Sequence, residues 1–120
     1  MSKRRDWTDK EQQAICAAYV GMLLAEATGQ RFNKSQIRRE LIGSDENPGP
    51  LNARSNGSVE AKFMNVSAAA IAIGLPIVRG YKPATNYQAS LRVHLAEAYR
   101  HVEGILKHYR HIITERAESC

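Results

Sequence analysis

The sequence predicts an all-α protein, in which a body of three helices is followed by one long C-terminal helix. Apolar residues recur at intervals of three and four through the first 74 residues, which is the spacing of helices that bury one side. Residues 86–118 contain no proline and a single glycine, and keep the same spacing. A chain of 120 residues, of which 43% are hydrophobic, has room for one such domain.

The first helix is predicted to run from Asp9 to about Thr28. Thr8 and Glu11 stand three residues apart, so that each side chain can accept a hydrogen bond from the other's backbone N–H, as in a capping box. Gly29 is well placed to end the helix, because glycine readily adopts the left-handed conformation of a C-terminal cap.

The second helix is predicted from Lys34 through Ile42, with Asn33 in position to cap its N-terminus. The loop that follows contains prolines and glycines at residues 47–50, which a continuous helix does not tolerate. This loop therefore joins the second helix to the third.

The third helix is predicted over residues 57–74, and its polar side suggests a function. Its inward side is apolar: Val59, Phe63, Val66, Ala70 and Ile73. Three residues are available to cap its N-terminus: Ser55, Asn56 and Ser58. The opposite side carries hydrogen-bonding or cationic groups: Arg54, Ser58, Lys62 and Asn65. Such groups beside the positive end of a helix favour a recognition helix for nucleic acid, and an ordinary solvated face is the alternative.

Positive charge supports a polyanionic partner. Lysine and arginine number 17 against 12 acidic residues, which gives a net charge of +5. We expect base edges or nearby phosphates to contact six residues around the third helix: Arg54, Ser55, Asn56, Ser58, Lys62 and Asn65. We expect the phosphate backbone to contact five cations outside that helix: Lys34, Arg38, Arg39, Arg79 and Lys82. The basic residues 3–5 form an arm that lies along phosphates or is a frayed terminus.

The long C-terminal helix is predicted to extend from residue 86 to about 118. A heptad seam is formed by Leu91, Leu95, Ala98, Val102, Ile105, Tyr109 and Ile112. A helix of this length is a rod of roughly 45 Å, whereas a body of about 80 residues has a radius of gyration of roughly 12 Å. Its distal half therefore needs a partner, and a homodimer through the seam is expected. The alternative is a seam that folds back on its own domain.

Several other classes of function are not indicated. The sequence has no uninterrupted apolar stretch long enough for a membrane helix and no apolar signal region, so we expect a cytoplasmic protein. His94, His101 and His108 are spaced by about 10.5 Å along the predicted helix, too far apart to share a metal, and we expect no metal or other cofactor. No catalytic motif is present, so an enzyme is not expected. A site in the loop at 80–87 is the enzymatic alternative.

Three stretches resemble the trihelical DNA-binding domains of the Myb and GcrA type. They are Trp7-Thr8-Asp9, the segment 34–41 and the segment 54–62. In those families a Trp-Thr start precedes two helices arranged as a helix-turn-helix, and the third helix lies in the major groove. The resemblance therefore implies a helix-turn-helix-like body and a DNA-binding third helix.

Residues 7 to about 95 resemble more closely the uncharacterised module that precedes HNH nuclease domains in bacterial restriction-like proteins. The motifs that carry this likeness are Arg-Ser-x-Gly-Ser-Val-Glu-x-Lys-Phe-Met-Asn-Val-Ser-Ala at 54–68, Gly-Leu-Pro at 74–76, Gly-Tyr-Lys-Pro at 80–83 and Asn-Tyr-Gln at 86–88. The likeness implies a restriction-associated, DNA-targeting module of bacterial or phage type, with no nuclease domain in this sequence.

These observations together predict a sequence- or modification-directed double-stranded DNA-binding protein without catalytic activity. Residues 1–85 would form the DNA-binding domain, with helix 57–74 as its recognition helix, and residues 86–120 would form the dimerisation helix. The alternative function is a protein-interaction or assembly module that acts through the C-terminal coiled-coil helix.

Overall fold

The computed structural model describes residues 6–108, and the regular structure in this range is helical. The helices are α1 (Asp9–Thr28), α2 (Lys34–Ile42), α3 (Asn56–Ala72), α4 (Ser90–Arg100) and α5 (103–108). Extended backbone pairs in this range at a single isolated bridge, between Gly43 and Pro48. No helix among these residues is both long and apolar enough to cross a membrane. The prediction of an all-α protein is confirmed.

Hydrogen bonds at the helix ends explain why the first two helices begin and end where the sequence predicts. The Thr8 hydroxyl accepts from the Glu11 N–H at 3.1 Å, and the Thr8 N–H donates to the Glu11 carboxylate at 2.9 Å. Gly29 ends α1 in the left-handed conformation with φ 73°. Asn33 caps α2 by accepting from the Gln36 N–H at 3.0 Å.

Helix α3 is capped by Ser55, one of the three residues predicted for this role. The Ser55 hydroxyl accepts from the Ser58 N–H at 3.1 Å. The helix ends at Ala72, two residues before the predicted end, and Gly74 follows with φ 79°. The position of the third helix is therefore confirmed, with a shorter C-terminal turn than predicted.

The loop between α2 and α3 is attached to the body by its backbone and by one apolar side chain. Leu51 is fully buried, and its N–H donates to the Leu41 carbonyl at 2.8 Å. A side chain at Gly43 would collide with the backbone of Gly49, and a side chain at Gly49 would collide with the Leu41 carbonyl. The glycines of this loop thus permit a close approach of its backbone to the end of α2.

The core lies between α1, α3 and α4. Its largest fully buried side chains include Ile15 and Tyr19 of α1, Phe63 of α3 and Leu91 of α4. Phe63 stacks on Tyr81 with ring centroids 5.0 Å apart, which attaches the segment after α3 to the same core. Helix α4 therefore shares one core with α1 and α3, whereas α2 has no fully buried residue.

The prediction of one unbroken helix from residue 86 is wrong at both its start and its middle. Asn86 is in the left-handed conformation with φ 63°, and helix α4 begins only at Ser90. At residues 101–102 the backbone N–H groups bond three residues back, to the carbonyls of Ala98 and Tyr99. This tighter turn separates α4 from α5.

The heptad seam lies largely against the chain's own core. Leu91 and Leu95 are fully buried within the protomer, so they are not available to a dimer interface as predicted. Ala98 and Val102 are partly buried against the same core. The next residue of the predicted seam, Ile105, is 47% exposed, and its neighbour Leu106 is buried instead. Two seam residues, Tyr109 and Ile112, and the basic arm at 3–5 lie outside the described residues.

Candidate nucleic-acid interface

A polar cleft of about 600 Å³ lies beside the N-terminal half of α3. Its walls are formed by residues of α3 and by two segments that precede α1 and α4, at residues 6–7 and at 86 and 88. Five residues predicted to contact DNA line this cleft: Arg54, Ser55, Ser58, Lys62 and Asn65. The fold thus brings most of the predicted base-contacting residues to one place. Asn56, the sixth, lies exposed at the first position of α3.

Arg54 forms a bidentate ion pair that joins the N-termini of α1 and α3. Its guanidinium donates to the two carboxylate oxygens of Glu11 at 2.8 and 2.9 Å, and to the Asp6 carbonyl at 3.2 Å. It also lies 4.8 Å from the centroid of the Trp7 ring. Only 12% of the Arg54 side chain and 11% of the Glu11 side chain are exposed. The guanidinium hydrogen bonds lower the pKa of Glu11 to about 2, so this carboxylate is charged at neutral pH.

Lys62 lies in the deep wall of the cleft. The residue is only 7% exposed, although it belongs to the polar side of α3 that the sequence predicts to face DNA. Its ammonium donates to the Gln88 amide oxygen at 2.9 Å and lies 5.0 Å from the Trp7 ring centroid. Among the described residues, no carboxylate lies within 4.0 Å of it. Burial, and then the positive charge of Arg54, lower the pKa of Lys62.

Gln88 holds the opposite wall of the cleft in place, and the sequence did not identify it as a site residue. Its amide oxygen accepts from the Trp7 N–H at 3.3 Å as well as from Lys62, and its amide nitrogen donates to the Trp7 carbonyl at 3.3 Å. Asn86 lines the cleft two residues earlier. The Asn-Tyr-Gln motif at 86–88 is the sequence signal that points to Gln88. The sequence predicts a continuous helix from residue 86, and that prediction gives no reason for Gln88 to reach Trp7 and Lys62.

A second group of predicted residues lies where α2 meets the segment that follows α3. The Lys34 ammonium donates to the Arg79 carbonyl at 2.6 Å and lies 4.4 Å from the Tyr81 ring centroid. Arg38 forms an ion pair with Glu60 of α3 at 2.7 Å. Lys34 and Arg79 line a shallow depression of about 550 Å³. We call Lys34, Arg38 and Arg79 the α2 rim; Arg39 is exposed on α2 beside Arg38.

Three of the cations that the sequence predicts to contact phosphate are exposed to solvent. Arg39, Arg79 and Lys82 form no side-chain hydrogen bond or ion pair within residues 6–108. The Arg79 backbone N–H donates to the Glu26 carboxylate at 3.1 Å, which fixes the backbone and leaves the guanidinium in solvent. These side chains are therefore available to a phosphate.

The outward strip of α3 between the two groups carries short or apolar side chains. It consists of Gly57, Ala61, Met64, Ala68 and Ile71. Successive helical residues are rotated by about 100°, so this strip has Ser58 and Asn65 along one edge and Glu60 along the other. The cleft and the α2 rim therefore flank one face of α3. Gly57, Ala61 and Ala68 allow a partner to approach the helix closely, whereas Ile71 adds an exposed apolar side chain near its C-terminal end.

The histidines of the C-terminal region give no cluster of metal ligands in the described range. Only 10% of the His94 side chain is exposed, and its Nε2 lies 2.9 Å from the Asp9 carboxylate. No group of three or more His, Cys, Asp or Glu residues in the described part of the chain has the arrangement of a metal site.

Comparison of the chain with protein-family models, curated proteins and solved structures gave no match.

Proposed function

We propose that this protein binds double-stranded DNA through the face of α3 that lies between the cleft and the α2 rim, without catalytic activity of its own. The observation that carries the proposal is the convergence of hydrogen-bonding side chains from α3 and cations from separate segments along the two edges of one helix face. A net charge of +5 supports a polyanionic partner. In this proposal the protein recognises its DNA by sequence or by a modified base.

Ten of the eleven predicted residues take three proposed roles, and the eleventh, Lys62, lies apart from them in the wall of the cleft. Ser58 and Asn65 at the cleft edge, with Asn56 and Ser55 at the helix start, supply hydrogen bonds to base edges or phosphates. Arg39, Arg79 and Lys82 supply exposed charge for the phosphate backbone. Three other cations hold the segments of the interface together. Arg54 pairs with Glu11, Arg38 pairs with Glu60, and Lys34 donates to the Arg79 backbone carbonyl.

Arg39→Ala and Lys82→Ala are each expected to weaken duplex binding and to reduce the salt dependence of the affinity by about one counterion, because each removes one phosphate contact. Fluorescence anisotropy with a mixed-sequence duplex at several salt concentrations measures both quantities. Lys107→Ala is the matched control, because Lys107 is an exposed cation on α5 that pairs with Glu103 and lies in neither the cleft nor the α2 rim. Equal affinities for all four proteins would contradict the assignment of Arg39 and Lys82 to phosphate contacts.

Two apolar side chains favour a second role for the C-terminal region, which is binding of a protein partner or of a second copy. Val93 of α4 is 58% exposed, and Ile105 of α5 is 47% exposed. Since Leu91 and Leu95 are buried inside the protomer, a homodimer would use these outward residues. The homodimer remains a prediction.

A further inference from the structure

The cleft contains a buried ammonium group, that of Lys62, which has no carboxylate within 4.0 Å among residues 6–108. Transfer of an ammonium group from water into a protein interior is costly unless a partner of opposite charge compensates it. The hydrogen-bond acceptor of Lys62 is a neutral amide, and its other close neighbour is the Trp7 ring. The nearby charge of Arg54 is matched by Glu11 in a separate bidentate pair. An anion entering the cleft would supply the missing partner.

We propose that this cleft is a binding site for the phosphate group of a nucleotide, with Lys62 as its principal cation. The inference deepens the proposed DNA-binding function and rests on it for the source of the phosphate. The same phosphate chemistry is offered by a free nucleotide and by a phosphodiester of the DNA backbone, and the experiment below separates these sources.

The positions of the other lining groups fit a phosphate. Gly57 and Ser58, in the first turn of α3, line the cleft, and the first turn of a helix carries partial positive charge that favours an anion. The Ser58 N–H itself already donates to the Ser55 cap. The Ser58 side chain is half-buried and adds a hydroxyl. Asp6 also lines the cleft. It is exposed to solvent and lies more than 4.0 Å from the Lys62 ammonium, so its charge offsets the lowering of the Lys62 pKa only in part.

The volume of the cleft and its amide groups indicate a nucleotide and not only a small inorganic anion. A space of about 600 Å³ is larger than a phosphate group requires and leaves room for the attached sugar and base. Asn65 and Asn86 line this remaining space. Side-chain amides both donate and accept hydrogen bonds, which suits the edge of a nucleobase.

Trp7 provides an internal reporter for the test. It is the only tryptophan in the sequence, and Lys62 and Arg54 both lie against its ring. The purified full chain is titrated with thymidine 5′-monophosphate, with the dinucleotide dTpdT, with inorganic phosphate and with thymidine, while Trp7 emission is followed. Isothermal titration calorimetry measures the same bindings independently of emission. We expect saturable binding of the phosphate-bearing probes and none of thymidine.

Two variants assign the binding to the cleft. Lys62→Met removes the charge and keeps an apolar chain of similar length against Trp7, and it should weaken phosphate binding at least about tenfold. Ser58→Glu places a negative charge at the cleft edge and should weaken binding similarly, while an acidic residue in the first turn favours the helix itself. Lys107→Met, on α5, is the matched control and should bind as the original chain does. Circular dichroism confirms folding of each variant.

The outcomes separate the phosphate site from the DNA-binding proposal. If the monophosphate binds and dTpdT does not, the site is assigned to a terminal phosphate. If dTpdT binds, the site is assigned to the DNA backbone. Equal binding of thymidine, no binding of any probe, or unchanged binding by Ser58→Glu and Lys62→Met would overturn the phosphate site. Duplex binding that survives such a result would leave the proposed function intact. Phosphate binding without duplex binding would leave the site intact and refute the DNA proposal.

Discussion

Replacement of Arg54 by methionine is expected to lower the free energy of unfolding by about 3 kcal/mol at pH 7, because it leaves a nearly buried carboxylate without its cation. The guanidinium makes two hydrogen bonds to Glu11, and both side chains are close to nine-tenths buried. The variant also loses the contact of the guanidinium with Trp7. Urea unfolding of both proteins at pH 7, followed by circular dichroism, measures the difference.

The same pair gives the original protein a specific dependence on pH. The pKa of Glu11 is lowered from 4.5 to about 2 in the folded protein, so folding favours the charged carboxylate. This contribution is fully present above pH 4.5 and is lost as the pH falls from there through about 2. A shift of this size corresponds to roughly 3 kcal/mol. The stability difference between the original protein and Arg54→Met should therefore shrink steadily below pH 4.5.

Arg38→Met is the matched control for this experiment. Arg38 also pairs with a single glutamate, but the side chains are more exposed, at 21% for Arg38 and 45% for Glu60. Exposed ion pairs contribute about 1 kcal/mol or less, so this variant should be nearly as stable as the original. Equal losses in the two variants, or an Arg54→Met difference that persists unchanged at pH 3, would show that the Glu11 pair does not have the assigned role.

Tyr19→Phe is expected to lower the free energy of unfolding by about 2 to 3 kcal/mol, because it removes one hydroxyl that satisfies two buried polar groups. Tyr19 is fully buried, and its hydroxyl lies 2.7 Å from the Ser67 hydroxyl and accepts from the Val78 N–H at 2.9 Å. Phenylalanine fills the same space but leaves the Val78 N–H and the Ser67 hydroxyl without this partner.

Tyr87→Phe is the control for the loss of a tyrosine hydroxyl. Tyr87 is half-buried, and its hydroxyl has no hydrogen bond to another described residue. Its replacement should change stability by less than about 0.5 kcal/mol. Equilibrium urea unfolding at one pH compares the two variants with the original chain. A Tyr19→Phe loss no larger than that of Tyr87→Phe would contradict the proposed role of this buried hydroxyl in joining α1, α3 and the segment after α3.

The helix boundaries that depend on local chemistry were predictable from the sequence. Thr8 with Glu11, Gly29, Asn33 and Ser55 act on backbone groups within a few residues of themselves, so the pattern alone located the ends that they form. Burial of Val59, Phe63 and Val66 followed from their spacing for the same reason.

The features that depend on distant residues were not predictable in this way. The sequence predicts DNA contacts for Arg54 and Lys62 but not their contacts inside the protein, because their partners Glu11 and Gln88 lie 43 and 26 residues away in the sequence. The apolar spacing from Leu91 onward correctly indicated a buried side, but spacing does not reveal whether that side faces the chain's own core or a second molecule. The pattern predicts one helix from residue 86. In the structure Asn86 is left-handed and precedes the start of α4, and the turn at 101–102 separates α4 from α5.

The central claim is that the flanked face of α3 binds double-stranded DNA, and the salt dependence of duplex affinity tests it most directly. Fluorescence anisotropy is measured with one mixed-sequence duplex between about 50 and 200 mM salt, beside a single strand and duplexes that carry methylated adenine or cytosine. We predict that duplex affinity falls steeply as salt rises, since several neutralised phosphates release counterions, and that the duplex is preferred to the single strand. Absence of duplex binding at the lowest salt would contradict the claim.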